Sequence, residues 1–496
     1  MIRHTGLPAF AYGTTPAIVP TANRPQRSAL RRPIDLAARS AGALIGAAAL
    51  LAGLSGTAHA ADADEGLLKQ AIGGPDGLII TGGVRARVEG IDGQFRPKTA
   101  EDDVMFSLKT TLAVEYDGGP FRIGGELWDA RAYGEHDNSS AGTTEVNAME
   151  LVQAYVGLDF KTGAKGEAKL TAGRFTMNIG SRRLIARQQF RNSTNAYTGV
   201  NFVWKGGNGD QLIALWSMPQ QRLPDDPDGI HDNKVVWDRE NTDLQLWGAH
   251  FTKAHVFGGV AEFYGFGLDE RDSPEVLTKN RHLFTPGMRF YRKPKVGKLD
   301  YDVEGAYQFG STRLTTSATD LKDVQVSAYL IHAEAGTTFK GGWQPRLALE
   351  FDLASGDKAG SKTYNRFDTL YGARRFEYGP TGLYGPVGRS NLLSGGARIE
   401  AKPDKKSDVM FMYRALWLAS RTDSFSSTSV KDASGQSGNF AGNQFEARYR
   451  RTLVPNVLHF DTGVAYLAKG RFLKDAPNAP QTGDTKYGYF DMYFDF

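Results

Sequence analysis

The sequence contains no cysteine among its 496 residues. Disulfide frameworks, zinc ribbons, iron–sulfur sites and thiol catalysis all need cysteine, so this chain uses none of them. Long apolar runs are scarce, and the mean hydropathy of -0.39 argues against several membrane helices of about 20 apolar residues each. Glycine is abundant without a collagen repeat, and an aromatic content of 11% is too high for a disordered chain. These absences leave a large, glycine- and tyrosine-rich β protein.

The N-terminal region is typical of an export signal. It is basic, and it contains a short apolar run at 41–53, AGALIGAAALLAG, followed by the small-residue cleavage sequence TAHA at 57–60. We predict that residues 1–60 are a cleaved signal peptide. Residues 61–77 would then form a short periplasmic N-terminal segment, and residues 78–496 the mature domain.

Loss of the signal peptide also removes the apparent basic balance of the chain. The whole sequence has 59 Lys+Arg and 55 Asp+Glu. Six of these bases and one acid lie within residues 1–60, which leaves 53 bases and 54 acids. A nearly neutral mature chain has no general attraction for nucleic acid, so we expect no nucleic-acid partner.

Beyond residue 78, apolar and polar residues alternate with the period of two that is typical of β-strands. Residues 299–309, LDYDVEGAYQF, place Leu, Tyr and Val on one face and Asp, Asp and Glu on the other. Such strands have one dry face and one wet face. Strands of this kind are predicted at 78–90, 104–117, 120–133, 146–160, 166–177, 196–205, 210–218, 242–254, 256–268, 283–293, 297–310, 324–339, 343–354, 390–402, 407–420, 440–452, 456–469 and 485–496.

The connections between these strands alternate in length. Tight turns rich in Gly, Pro and Lys, such as 117–120 and 340–342, alternate with long polar connections such as 178–195 and 355–389. Outer-membrane barrels combine short periplasmic turns with long extracellular loops. We therefore predict an all-β fold: a single transmembrane antiparallel β-barrel of about 18 strands over residues 78–496. Its location would be the cell outer membrane of a Gram-negative bacterium.

The last strand favours the same architecture. Phe490, Met492, Phe494 and Phe496 share one of its faces. A terminal strand with alternate aromatics and a final Phe resembles the signal that the outer-membrane barrel assembly machinery reads. We therefore expect that machinery as a partner through Phe496, and outer-membrane lipid around the barrel.

If the dry faces point to lipid, the wet faces line a pore. Arginine rings favour anions, because guanidinium offers a planar fork that matches carboxylate or phosphate. Arginine interleaved with glutamate also permits salt bridges that brace the wall, and the sequence leaves both alternatives open. The inward bases on this parity include Arg85, Arg87, Lys109, Arg289, Arg414, Arg448 and Arg450.

Two long connections are richer in aromatic residues and arginine than solvated loops require. The first reads GRFTMNIGSRRL at 173–184 and continues to Arg187 and Arg191. The second reads FDTLYGARRFEYGPTG at 367–382 and leads to GRSN at 388–391. Such loops often fold inward and constrict a barrel. Aromatic rings beside guanidinium groups also suit sugar faces and uronate carboxylates.

These loop motifs, with DARAY at 129–133 and LDYDVEGAYQFG at 299–310, resemble the alginate export family of outer-membrane porins. The resemblance covers essentially all of residues 75–496. It implies a monomeric barrel whose electropositive, arginine-lined constriction passes acidic polysaccharide to the exterior. It implies pore-lining roles for Arg85, Arg87, Arg131, Arg174, Arg182, Arg183, Arg374, Arg375 and Arg389.

The chain departs from that family near its C-terminus. The penultimate strand offers His459 and Asp461 where alginate exporters have inward arginines, and the turn at 453–455 is too short to plug a pore. Two transport hypotheses therefore stay open. One is a channel through which anionic poly- or oligosaccharide, alginate-like, diffuses; the other is a substrate-specific uptake porin for small organic or sugar acids.

Other function classes have less support. None of the nine His lies in a nucleophile motif, which disfavours an outer-membrane hydrolase. A purely structural or adhesin barrel would not need the paired arginines of the loops. We predict no catalytic residue, no cofactor and no metal site.

Overall fold

The computed structural model describes residues 73–163, 165–273 and 276–496. The predicted signal peptide, residues 1–60, lies outside the described residues, as does most of the predicted periplasmic segment. The last part of that segment directly precedes the first strand.

The described chain is built almost entirely from β-strands. Its three helices are short, and none within the described residues could span a membrane. The strands are β1 Leu78–Asp92, β2 Asp103–Asp117, β3 Phe121–Tyr133, β4 Asn147–Thr162, β5 Gly166–Phe175, β6 Tyr197–Lys205, β7 Gln211–Pro219, β8 Leu244–Val256, β9 Gly259–Glu270, β10 His282–Arg292, β11 Leu299–Thr312, β12 Val324–Thr338, β13 Arg346–Ala354, β14 Leu392–Asp404, β15 Ser407–Trp417, β16 Phe440–Val454, β17 Leu458–Lys469 and β18 Thr485–Asp495. The helices are α1 Pro227–His231, α2 Arg375–Tyr378 and α3 Arg471–Asp475.

The strands form one closed antiparallel sheet. Each strand pairs with its neighbour in the chain, and β1 closes the barrel by pairing with β18 from Gly83↔Asp495 to Asp92↔Lys486. Closure leaves no edge of unpaired backbone, which a hydrocarbon environment requires. The predicted barrel of about 18 strands is confirmed, and every predicted strand boundary lies within three residues of the observed one.

The two faces of the wall differ as the alternation predicts. On β11, Leu299 and Val303 are 56% and 48% exposed, whereas Asp300 and Glu304 are at most 2% exposed. The apolar side chains therefore point outward and the charged ones into the lumen. Inside the barrel, the charged side chains are buried by one another and by the long connections.

Two long connections, which we call the inner loops, enter the lumen. They are residues 176–196 and residues 355–391. Phe190 of the first packs edge-on against Tyr489 of β18, with ring centroids 5.1 Å apart. Tyr384 of the second stacks on Tyr487 of the same strand at 5.2 Å. The expectation that these segments fold inward agrees with these contacts.

Candidate functional site

A buried carboxylate joins the two inner loops. Arg183 donates from Nε to Glu377 at 2.6 Å, and Arg389 donates to the same carboxylate. Arg183 also pairs with Asp302, at 3.1 Å, and with Glu304, both on β11. Burial acts to raise the pKa of Glu377, but the two guanidinium groups lower it to about 2. This junction, with side chains at most 3% exposed except Asp302, anchors both loops to the wall.

The same junction contains a cluster of three side chains whose arrangement resembles a metal site. Ligand atoms of His332, Asp352 and Glu377 lie within 4.8 Å of one another. Each carboxylate already accepts from arginine, since Arg414 donates to Asp352 at 2.6 Å and Arg183 to Glu377 at 2.6 Å. His332 Nδ1 lies 2.7 Å from Asp352. Guanidinium groups thus supply the counter-charge here, which makes the cluster a structural junction between wall and loop.

Most of the arginines predicted to line the pore are paired with carboxylates. The bracing salt bridges that the sequence left open therefore account for much of the inward charge. The pairs are Arg87 with Asp491 at 2.5 Å, Arg174 with Glu150 at 2.7 Å, Arg183 with Glu377 at 2.6 Å, Arg289 with Asp302 at 2.7 Å, Arg375 with Glu446 at 2.6 Å, Arg389 with Glu377, Arg414 with Asp352 at 2.6 Å, and Arg448 and Arg450 with Asp408 at 3.4 Å and 3.0 Å.

The strand parity of two predicted residues, Arg131 and Arg174, differs from that of the inward side chains. Arg131 shares a face of β3 with Leu127 and Tyr133, both 44% exposed, and pairs with Asp129 at 2.9 Å. Arg174 lies on the face of β5 opposite to the buried Phe175. The pore-lining role implied for Arg131 is therefore wrong, because the two-residue period of the strand turns its side chain outward. Arg174 pairs with the buried Glu150 at 2.7 Å and is itself only 14% exposed, so its pore-lining role stays a prediction.

Three predicted cations have neutral partners. Arg85 donates to the Phe190 carbonyl at 2.6 Å and to Asn192 at 2.7 Å. Lys109 lies over the Trp128 ring at 4.5 Å, and Arg182 over the Phe376 ring at 4.8 Å. These contacts hold inner-loop and wall side chains in place without neutralising the charge.

A cavity of about 470 Å³ lies among the long connections. Four arginines from four different connections line it: Arg191, Arg222, Arg281 and Arg374. We call it the arginine cavity. Glu270, which is hydrogen-bonded to Arg281, also lines it. The other polar walls include the amides and hydroxyls of Gln188, Asn195, Gln220, Gln221, Thr369, Tyr371, Ser390, Ser426 and Ser427.

Three of these arginines, Arg191, Arg222 and Arg374, have no carboxylate within salt-bridge distance anywhere in the described chain. Arg374 donates to Ser427 Oγ at 2.7 Å. Arg222 donates to Asn195 Oδ1 at 2.8 Å and to backbone carbonyls. Arg191 makes no hydrogen bond to a described residue. In the described barrel, these three guanidinium groups therefore line one cavity without a direct salt bridge, and Glu145 acts on them only from beyond that distance.

The pKa values of these arginines show the cost of that arrangement. Burial, and then the charges of Arg374 and Arg222, lower the pKa of Arg191 to about 9. Burial, and then Arg96 and Arg389, lower the pKa of Arg374 to about 10. All three remain charged at neutral pH. A bound anion would supply the missing counter-charge and relieve the repulsion among them.

Sequence reasoning does not identify three arginines of this cavity. Arg191 belongs to the first loop motif but is not a predicted pore-lining residue, and neither Arg222 nor Arg281 is predicted. Arg222 lies in a polar connection with no alternation or aromatic partner to mark it. The cavity exists only because loops far apart in the chain meet inside the barrel.

One carboxyl beside the cavity gives a pH prediction. Burial, and then Glu150, raise the pKa of Asp238 to about 7, and its ordinary value is about 3.9. The folded loop therefore keeps a proton that the unfolded loop loses, so the stability of the connection 220–243 falls as pH rises from about 4 to 7. We expect faster hydrogen exchange there at pH 8 than at pH 5, corrected for intrinsic rates. Asp238→Asn should abolish this difference, and a difference that persists in the variant would contradict the assignment.

A closed antiparallel barrel with an apolar outer face and long inward-folded loops is the architecture of an outer-membrane porin. The sequence model of the family described as Alginate export matches residues 77–484, and the chain belongs to that family. No curated protein matches the chain at a significant level. The predicted family resemblance is confirmed, and both fold and family are those of a channel.

Solved structures are similar to the barrel in fold. OccAB1 of Acinetobacter baumannii is 13% identical, with a TM-score of 0.54 over 87% of this chain and 99% of that chain. The outer membrane protein opdK of Pseudomonas aeruginosa is 11% identical, with a TM-score of 0.51 over 84% and 98%. OccK2 (OpdF) of the same organism, in complex with glucuronate, is 8% identical, with a TM-score of 0.51 over 84% and 98%. The protein is thus a β-barrel of the Gram-negative outer membrane.

Proposed function

We propose that this porin is an anion-selective channel for acidic saccharides and that the arginine cavity selects the solute. The observation that carries the proposal is the set of three guanidinium groups, Arg191, Arg222 and Arg374, that lack a carboxylate partner in the described chain. A carboxylate entering the cavity replaces its hydration with charge-assisted hydrogen bonds. A cation meets an excess of like charge there, because Glu270, the acid that lines the cavity, is already bonded to Arg281.

The chemistry of the walls favours a sugar acid over a bare inorganic ion. Gln188, Asn195 and Ser427 place amide and hydroxyl groups beside the arginines, and such groups match sugar hydroxyls. The volume of about 470 Å³ falls in the range of about 300–1,000 Å³ that is usual for small-molecule sites. The cavity therefore suits one or two uronate units at a time. OccK2 (OpdF), which is similar to this chain in fold, was solved in complex with glucuronate, and this supports the choice of solute class.

Size also separates the two transport hypotheses. A small sugar or organic acid fits the cavity with the inner loops in place, which supports the uptake alternative. A polymer strand would need Glu377 and its partners to release the inner loops. We therefore take small acidic saccharides as the solute class, with acidic polysaccharide as the second candidate.

Bilayer recordings test the proposal. In a KCl gradient the reversal potential should show a preference for chloride over potassium. Glucuronate should reduce the chloride current at concentrations where glucose, which has the same ring without the charge, has no effect. An alginate oligomer that blocks more strongly than glucuronate would favour the polysaccharide alternative. A cation preference would overturn the proposal.

A further inference from the structure

A second cavity adjoins the arginine cavity. It also has a volume of about 470 Å³ and lies between the start of β10 and the second inner loop, and we call it the side cavity. Gln221, Glu270, Arg281, Thr369 and Ser390 line both cavities, so the two adjoin along these residues. A solute that reaches the arginine cavity from the side cavity has to pass them.

The two cavities differ in charge. Glu270 is the only acidic residue among those lining the arginine cavity, whereas the side cavity is also lined by Asp368. Arg281 connects the two carboxylates. Its Nε and one terminal nitrogen donate to Glu270 at 2.8 Å and 2.6 Å, and its other terminal nitrogen donates to Asp368 at 2.7 Å. The boundary between the cavities is thus an arginine shared by two acids.

The two acids hold Arg281 unequally. Glu270 binds it through two hydrogen bonds and has a side chain only 10% exposed. Asp368 binds it through one hydrogen bond, and both side chains of that pair are about a quarter exposed, at 25% and 27%. The other Asp368 oxygen accepts from the Leu370 backbone at 2.8 Å, which keeps the aspartate in its own turn. Asp368 thus makes the single and more accessible of the two contacts with Arg281, and it is the contact that a solute in the side cavity reaches.

We propose that Arg281 is an exchange point on the path of the solute, and that Asp368 occupies it as a built-in competitor. A carboxylate solute in the side cavity displaces Asp368 from Arg281, while Glu270 keeps the guanidinium in place. The solute then passes to Arg222 and Arg374 in the arginine cavity. Asp368 therefore determines specificity, because solutes without a carboxylate cannot displace it. This inference rests on the proposed function.

Removal of the competitor tests this inference. Asp368→Asn keeps the shape of the side chain and its bond from Leu370, but leaves one guanidinium nitrogen of Arg281 without an anionic partner. We expect the glucuronate concentration that halves the chloride current to fall about two- to fivefold, as for loss of a partly exposed ion pair. The gain should vanish in an Arg281→Gln background, because the double variant has no exchange point.

Asp272→Asn is the matched control. Asp272 pairs with Arg313 at 2.6 Å and accepts from the Thr278 backbone at 2.8 Å, yet neither member of the pair lines a cavity. Its half-blocking concentration should equal that of the wild type. An equal gain in Asp272→Asn, or a gain that survives Arg281→Gln, would mean that any lost negative charge has this effect and would overturn the exchange point.

The same recordings distinguish this inference from the proposed function. If the wild type prefers anions and Asp368→Asn leaves the glucuronate block unchanged, the exchange point is wrong and the channel assignment stands. If the wild type prefers cations, both are wrong. Single-channel conductance of the variant close to that of the wild type establishes that the barrel has folded.

Discussion

Replacement of Arg191, Arg222 and Arg374 together by glutamine should remove most of the preference for chloride over potassium that we propose for the channel. Glutamine keeps much of the volume and some hydrogen bonding, so the change is chiefly one of charge. Each arginine contributes a charge-assisted bond to a bound carboxylate, so each single substitution should weaken the glucuronate block about tenfold. The measurements are the reversal potential in a salt gradient and the half-blocking glucuronate concentration.

The control for this experiment is Arg471→Gln. Arg471 lies on α3, is 68% exposed, and pairs with Asp475 in solvent. Its loss should leave selectivity and block unchanged. A triple variant that keeps the selectivity of the wild type would show that the arginine cavity lies off the path of the ions.

The sequence treats Arg374 and Arg375 as an equivalent pair, but the structure distinguishes them. Arg374 belongs to the arginine cavity, whereas Arg375 binds Glu446 at 2.6 Å and the Tyr489 hydroxyl at 2.9 Å. Arg374→Gln should therefore act on the glucuronate block directly. Arg375→Gln acts instead by leaving Glu446 without its guanidinium partner.

Glu377→Gln is expected to release the inner loops. The substitution removes the shared counter-charge of Arg183 and Arg389, and Arg389 is then left in a fully buried position with neutral partners only. Removal of one partner from a buried ion pair costs about 3–5 kcal/mol. We expect a larger and noisier single-channel conductance, and proteolytic cleavage within residues 355–391 that the wild type resists.

A surface carboxylate provides the comparison for this variant. Asp475→Asn also removes one partner of an ion pair, but that pair is exposed and of little energetic value. It should behave as the wild type in both measurements. If Glu377→Gln shows the conductance and protease resistance of the wild type, the junction does not hold the loops in the lumen.

Much of the fold could be predicted because its causes are local. The two-residue alternation in segments such as 299–309 identifies the strands, and the short and long connections identify the two ends of the barrel. The unusual composition of 173–191 and 367–391 marks the segments that enter the lumen. Each of these signals is contained in a stretch of chain no longer than one strand or loop.

The outcome for individual arginines could not be predicted in this way. The alternation of β1 correctly predicts that Arg87 points inward. It does not reveal that Asp491 on the last strand neutralises Arg87, with 2.5 Å between the guanidinium nitrogen and the carboxylate oxygen. Arg131 shows the limit of family resemblance, since the observed parity of β3 turns it outward.

By itself, the sequence of this protein determined an eighteen-stranded porin with arginine-rich inner loops, because backbone periodicity and turn chemistry are local properties. Only the tertiary structure decided which arginines keep an unbalanced charge. Arg183 meets its carboxylate 194 residues away, and Arg374 meets Ser427 from another loop. The net charge of a site depends on contacts between residues far apart in the chain. In the arginine cavity, these contacts provide no carboxylate within salt-bridge distance of Arg191, Arg222 or Arg374.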